Sequence, residues 1–129
     1  MTTSERPAPV GQYHLLQDFQ CPTSSIRVIK MTSESEAVGG HVHHRSMQIY
    51  VALEGAIRID VDGLETDLEP YGALTVWPGS RHMAWPRDGA AILMNISIPP
   101  LAADDQHPTD VPAERPDMRL PGEDSDVDD

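Results

Sequence analysis

The sequence predicts an all-β domain, a sandwich or barrel of roughly seven or eight short strands. Three observations carry that prediction: short runs in which apolar residues alternate with polar ones, turn residues recurring between them, and no sustained helical period. Residues 1–10 are polar and hold two prolines, which predicts a flexible lead-in. The domain itself is placed at 11–100. Residues 13–19 are a strand candidate, and in 25–31 the alternation assigns Ile26 and Val28, with Lys30 in phase, to one face. Residues 48–53 form the next apolar run. Residues 56–62 alternate cleanly, so Ile57, Ile59 and Val61 are expected to face the core. Asp62-Gly63 is the dipeptide of a type I′ hairpin, with 64–68 as the return strand. Further strands are expected at 73–77 and 90–98, set off by Gly39-Gly40, Glu54-Gly55, Pro70 and Pro78-Gly79.

From residue 101 the composition changes. The chain carries a formal charge of −12, from 21 acids against 9 basic residues, and most of the excess lies in 101–129. That stretch is acidic, Pro-rich and short of large apolar side chains, so it is expected to be a mostly disordered tail, with Leu101 or Met118 able to anchor a short piece. The acidic balance argues against nucleic acid and anionic membrane as partners. With one cysteine, Cys21, there can be no internal disulfide. No segment approaches the ~18 apolar residues of a membrane span, and the expected compartment is the cytoplasm.

Histidines carry the chemistry. His41 and His43 are two residues apart, so in an extended strand both point the same way. Inside a barrel two imidazoles leave four ring nitrogens in need of partners, and a metal ion satisfies one on each. Gln48 opens the apolar run that follows and can turn its amide oxygen into the same cavity. His82, beyond the Pro78-Gly79 turn, is expected on a loop that returns over the barrel mouth, completing a set of four. Three imidazoles and one neutral oxygen suit Zn, Fe, Ni, Co or Cu better than Mg or Ca.

The segment 40–55 resembles the first motif of the cupins: His41, one residue, His43, four residues, Gln48, six residues, Gly55. Gln48 stands where cupins usually carry Glu. The segment 70–82 resembles the second cupin motif, with Gly72, Gly79 and His82 in register, although Pro78 lies one place late and Pro86 takes the usual Asn position. The resemblance covers roughly residues 12–98 and implies a double-stranded β-helix, the jelly-roll barrel, holding one divalent metal on His41, His43, Gln48 and His82. The His, His, Gln, His set is similar to that of the zinc-dependent cupin polyketide cyclases of the RemF type. That narrower resemblance implies zinc, a polyketide-like small-molecule substrate and aldol-type ring closure in aromatic polyketide biosynthesis, with no catalytic side chain beyond the metal site. An iron- or copper-dependent dioxygenase and a non-enzymatic, effector-binding cupin are the alternatives. Small cupins commonly dimerise, so a homodimer is expected.

Other residues are read more plainly. Tyr50, Trp77, Met83 and Trp85 are candidates for an apolar pocket wall, with core or rim packing as the competing reading. His44 is expected to face away from His43, His14 to be a half-buried strand residue, and His107 to be solvated in the tail. Arg81 and Arg87 flank His82 without an assigned role. Cys21 has no basic neighbour in sequence to activate it.

Overall fold

In the computed structural model, residues 9–32 and 36–109 are described, and they form two antiparallel sheets facing one another. The first contains β1 (Gly11–Gln12), β4 (Ala37–Val42), β9 (His82–Pro86), β6 (Ile57–Val61) and β7 (Leu64–Leu68) in that spatial order, with β11 (His107–Pro108) also beside β4. The second runs β2 (His14–Gln20), β3 (Ser25–Met31), β10 (Ala91–Ile98), β5 (Met47–Glu54) and β8 (Ala73–Val76). Neighbours in each sheet are mostly distant in sequence, the crossing pattern of a jelly roll. Among the described residues no helix is long and apolar enough to cross a membrane.

Alternation sorts the side chains between the interior and the outside. Ile57, Ile59, Tyr50, Ala52, Leu93 and Ala84 fill the core at one end, whereas His41, Gln48, His82, Asn95 and Ser97 take equivalent inward positions at the other. The barrel thus has an apolar end and a polar end. The hairpin expected at Asp62-Gly63 is present: Val61 pairs with Leu64, and both turn residues have positive φ, 53° and 93°. Gly55 closes the β5–β6 turn at φ 72°, where an added Cβ would come within 2.5 Å of the Ala90 carbonyl oxygen.

Three expectations change. In β3 the inward residues are Ser25, Arg27, Ile29 and Met31, the opposite phase from Ile26 and Val28. The reason lies on the far side, where Ile26 and Val28 join other apolar residues on the outer face of the second sheet. Second, His82 is not on a loop but opens a strand of its own, β9, paired with both β4 and β6. Third, the ordered structure does not stop at residue 100. Leu101 is buried and its N–H donates to Ser25 Oγ at 2.8 Å, a 3-10 turn spans Ala103–Asp105, and β11 pairs with β4. The strand candidate at 13–19 forms as β2, but almost entirely exposed. Met118 lies outside the described residues.

Candidate metal centre

His41 ends the regular part of β4, and its register partner across the first sheet is His82. His43 follows after one outward residue, and Gln48 arrives from the opposite sheet on β5. All four side chains are buried, none more than 3% exposed. One ring nitrogen from each of His41, His43 and His82 lies within 4.8 Å of the others, so the three can hold a metal ion.

Each Nδ1 faces a backbone carbonyl: His41 on Gly39 at 2.6 Å, His43 on Asp105 at 2.6 Å, His82 on Ser80 at 2.9 Å. A carbonyl oxygen only accepts, so each Nδ1 carries the proton and donates it. In neutral imidazoles that leaves a bare lone pair on each Nε2. The neutral form is the one the site favours. Burial, reinforced by His43, pushes His41 down to about 4. Burial and the charges of His41 and His43 place His82 well below its ordinary value. Burial lowers His43 as well, against the opposing pull of the Asp105 carbonyl and charge.

Gln48 is fixed just as firmly. Its Nε2 donates to Asn95 Oδ1 at 3.0 Å and to Ser97 Oγ at 2.9 Å, which forces Oε1 toward His82 Nε2 at 2.9 Å. With Nδ1 of His82 already donating, neither atom of that last pair has a proton to share. His43 Nε2 is buried without any hydrogen-bond partner. Buried lone pairs facing one another or nothing are unfavourable, and a cation among them satisfies every one. The donor set therefore fits a divalent transition ion, and the carbonyls behind the imidazoles are the outer contacts that orient such ligands.

The metal-free protein is expected to lose stability in acid. His41 binds a proton readily when unfolded, near 6.5, but when folded only near 4, so the unfolded chain holds more protons in that interval. Stability is full above about pH 6.5 and falls as pH drops toward 4, by on the order of 3 kcal/mol from His41 alone. Denaturant melts of the chelated protein between pH 7.5 and 4.5 check this; a flat profile would contradict it.

A narrow cleft reaches the site, lined by His41 and Gln48 and by Tyr13, Arg27, Tyr50, Asn95 and Gln106 among others. Tyr50 is the only one of the four proposed pocket residues among these. Met83 and Trp85 alternate with the inward His82, Ala84 and Pro86, so they lie on the outer face of β9, and Trp77 is half-buried but does not line the cleft. The strand that was not foreseen around residue 84 decides their facing. Arg27, with a side chain 8% exposed, sits 3.5 Å from Asp18 and beside Tyr13. Burial raises the Tyr13 phenol above its ordinary value despite Arg27, so it remains protonated. Neither Arg27 nor Tyr13 had a sequence signal, because Arg27 interrupts an apolar run in the position of a surface residue.

Asp105 was also missed. It is 1% exposed, and its carboxylate accepts from the N–H groups of His44, Arg45 and Ser46 at 2.7, 3.0 and 3.2 Å. Burial alone would raise it, but these donors, with Arg45, hold it below the usual carboxylate range. The residue thus clamps the turn between His43 and Gln48, while its carbonyl orients His43. His44 faces outward as expected and packs on His107, ring centroids 4.5 Å apart, so His107 lies against the fold. His14 is exposed, 3.3 Å from Glu36. Arg81 reaches Asp60 in a largely covered ion pair, and Arg87 reaches Glu69 in an exposed one. The exposed Cys21 is lowered to about 7, first by the Ser24 hydroxyl and then by Thr23, neighbours the sequence does not mark as activating.

No protein-family profile matches the chain, and no curated protein does. Solved structures do match. A protein of Thermus thermophilus is 24% identical, with 70% of this chain and 86% of that one covered and a TM-score of 0.64. KdgF from a Halomonas species is 18% identical over 76% and 88%, TM-score 0.59. A cupin 2 domain-containing protein of Halorhodospira halophila is 12% identical over 76% and 69%, TM-score 0.63. The fold is that of the cupin double-stranded β-helix.

Proposed function

We propose that this chain is a metal-dependent enzyme, with one divalent ion held by Nε2 of His41, His43 and His82 and by Oε1 of Gln48, and that it closes a ring in a poly-β-ketone by aldol chemistry. The observation that carries the reading is the convergence of buried lone pairs with no proton between them, described above. All four donors are neutral, so a bound ion keeps its full charge and supplies Lewis acidity toward a carbonyl or enolate oxygen; zinc suits this role.

The chain's own residues would do the rest. Gln48 holds its oxygen in place through Asn95 and Ser97. Arg27 offers positive charge along the cleft wall where negative charge develops on oxygen, and the protonated Tyr13 can donate to the same oxygen. Ile29, Val38, Tyr50 and Leu101 give the cleft apolar surface that excludes water and restricts the conformers a flexible chain can adopt.

A linear 1,3,5-triketone offered to zinc-loaded protein tests the proposal. Exchange of its α-protons with deuterated water, followed by NMR, is expected to accelerate at least tenfold over free zinc, without oxygen uptake. Oxygen consumption with iron or copper loaded would favour a dioxygenase instead. Metal bound without either reaction would leave an effector-binding cupin.

A further inference from the structure

Arg27 takes an inward position on β3, between the inward Ser25 and Ile29, and its side chain is 8% exposed. Register sets it opposite Asn95, which stands opposite Tyr50, two residues along β5 from Gln48. Arg27 and Gln48 are therefore two strands and two residues apart on the interior face, with Cα atoms roughly 12 Å from one another. Both line the cleft that reaches the metal centre. Among the described residues lining that cleft, Arg27 carries the one permanent charge and there is no carboxylate, in a chain of net charge −12. Asp18, opposite Arg27 on β2, lies 3.5 Å from its Nε but does not itself line the cleft. Tyr13, which does, hydrogen-bonds to Arg27.

We infer that Arg27 is a carboxylate subsite, and that the ketide is taken as a free keto acid, its carboxylate on Arg27 and a keto oxygen directed to the metal centre. The ketide itself rests on the function proposed above; the carboxylate rests on the cleft alone. Four neutral donors leave a bound ion its full charge, and Arg27 adds a second positive centre along the same wall. A cleft so charged, with no acid lining it, favours an anion that has one oxygen for each centre. A guanidinium has five N–H donors in a planar fork, so it can serve Asp18, Tyr13 and a ligand carboxylate together. The carboxylate takes the larger share of the charge assigned to Arg27 above, and the metal keeps the developing oxygen. Anchored at one end, the flexible chain loses conformers before its carbonyls meet. A ketide carried as an ester or thioester is neutral at that end and gains nothing from Arg27, so hydrolytic release precedes ring closure.

Titration of the full chain with 5-oxohexanoate, a stable keto acid, and with its methyl ester tests the subsite by binding alone. The acid is expected to bind at least tenfold more tightly than the ester, in zinc-free protein as in zinc-loaded protein. Arg27→Gln is expected to abolish that preference. Asp18→Asn, which removes a competing carboxylate, is expected to strengthen acid binding at least threefold. Equal affinities for acid and ester in the wild type overturn the inference. So does a preference that a folded R27Q protein keeps, or one that appears only with zinc, since the carboxylate then sits on the metal. Should R27Q not fold, D18N decides, and acid binding that is unchanged or weaker contradicts the subsite. Accelerated proton exchange in the neutral 1,3,5-triketone with no preference for the acid would leave the proposed reaction standing and overturn the subsite. A preference for the acid without accelerated exchange supports the subsite and counts against the cyclase.

Discussion

Replacing His43 with alanine is expected to weaken divalent-metal affinity by at least about 100-fold, and His82→Ala by a similar factor. Each removes one of the four lone pairs, and the remaining three cannot close a shell around the ion. The effect is separable from folding. His43→Ala forfeits packing and the Nδ1–H bond to the Asp105 carbonyl, a cost present with or without metal, but no hydrogen bond at Nε2, which has no partner in the metal-free fold. Thermal melts with and without zinc should therefore diverge. With metal a thousandfold above its dissociation constant the wild type gains about 4 kcal/mol, whereas either variant at the same concentration gains less than about 1.5 kcal/mol. A His43→Ala protein that keeps the full metal-induced shift would remove His43 from the site. The depressed pKa values set the accompanying pH dependence. Protons compete for His41 only near pH 4, so metal should be retained well below the pH at which a free imidazole would release it.

The second large effect is expected from Asp105. Asp105→Ala strips the buried acceptor from three consecutive backbone N–H groups, those of His44, Arg45 and Ser46, which should cost about 3 kcal/mol. Ending the chain after Pro100 should cost more, because it also removes the buried Leu101 and the carbonyl that orients His43. Both proteins should bind metal more weakly as well, the truncation by roughly tenfold or more, since the His43 ring loses its anchor. Chemical denaturation and metal titration of the two variants measure this. A protein ending at Pro100 that is as stable as the full chain would show that 101–109 merely lies against the barrel.

Much of the fold was legible because the strands of the two sheets differ in their patterns. β6 and β7 alternate cleanly around Asp62-Gly63, since one face of their sheet meets solvent and ion pairs. β3, β5 and β10 carry apolar residues on both faces, with polar ones among the inward positions, and there alternation fails as a guide to which side is inside. Arg27 was hidden for that reason: a charge at an inward position reads as a surface residue when its neighbours on the outside are Ile26 and Val28. β9 was missed because it is only five residues long, ends at Pro86 and follows closely on the Pro78-Gly79 turn. The histidine constellation was legible because spacing in a strand fixes facing, and Gln48 because the spacing that follows is regular. Asp105 was not, since its role depends on a contact 60 residues distant, made by a segment whose composition predicts no structure. Gln48 itself finds its physical reason across the barrel. Its amide donates to Asn95 Oδ1 and Ser97 Oγ, and a glutamate there would face the Asn95 oxygen with another acceptor.

Elemental analysis of protein purified without chelator or added metal tests the central claim most directly, run beside His43→Ala. One zinc, or another divalent transition ion, per wild-type chain and a small fraction of that in the variant is the predicted result. A wild-type protein that carries no metal, and takes up none when dialysed against zinc, cobalt or iron, would contradict a metal centre on His41, His43, Gln48 and His82.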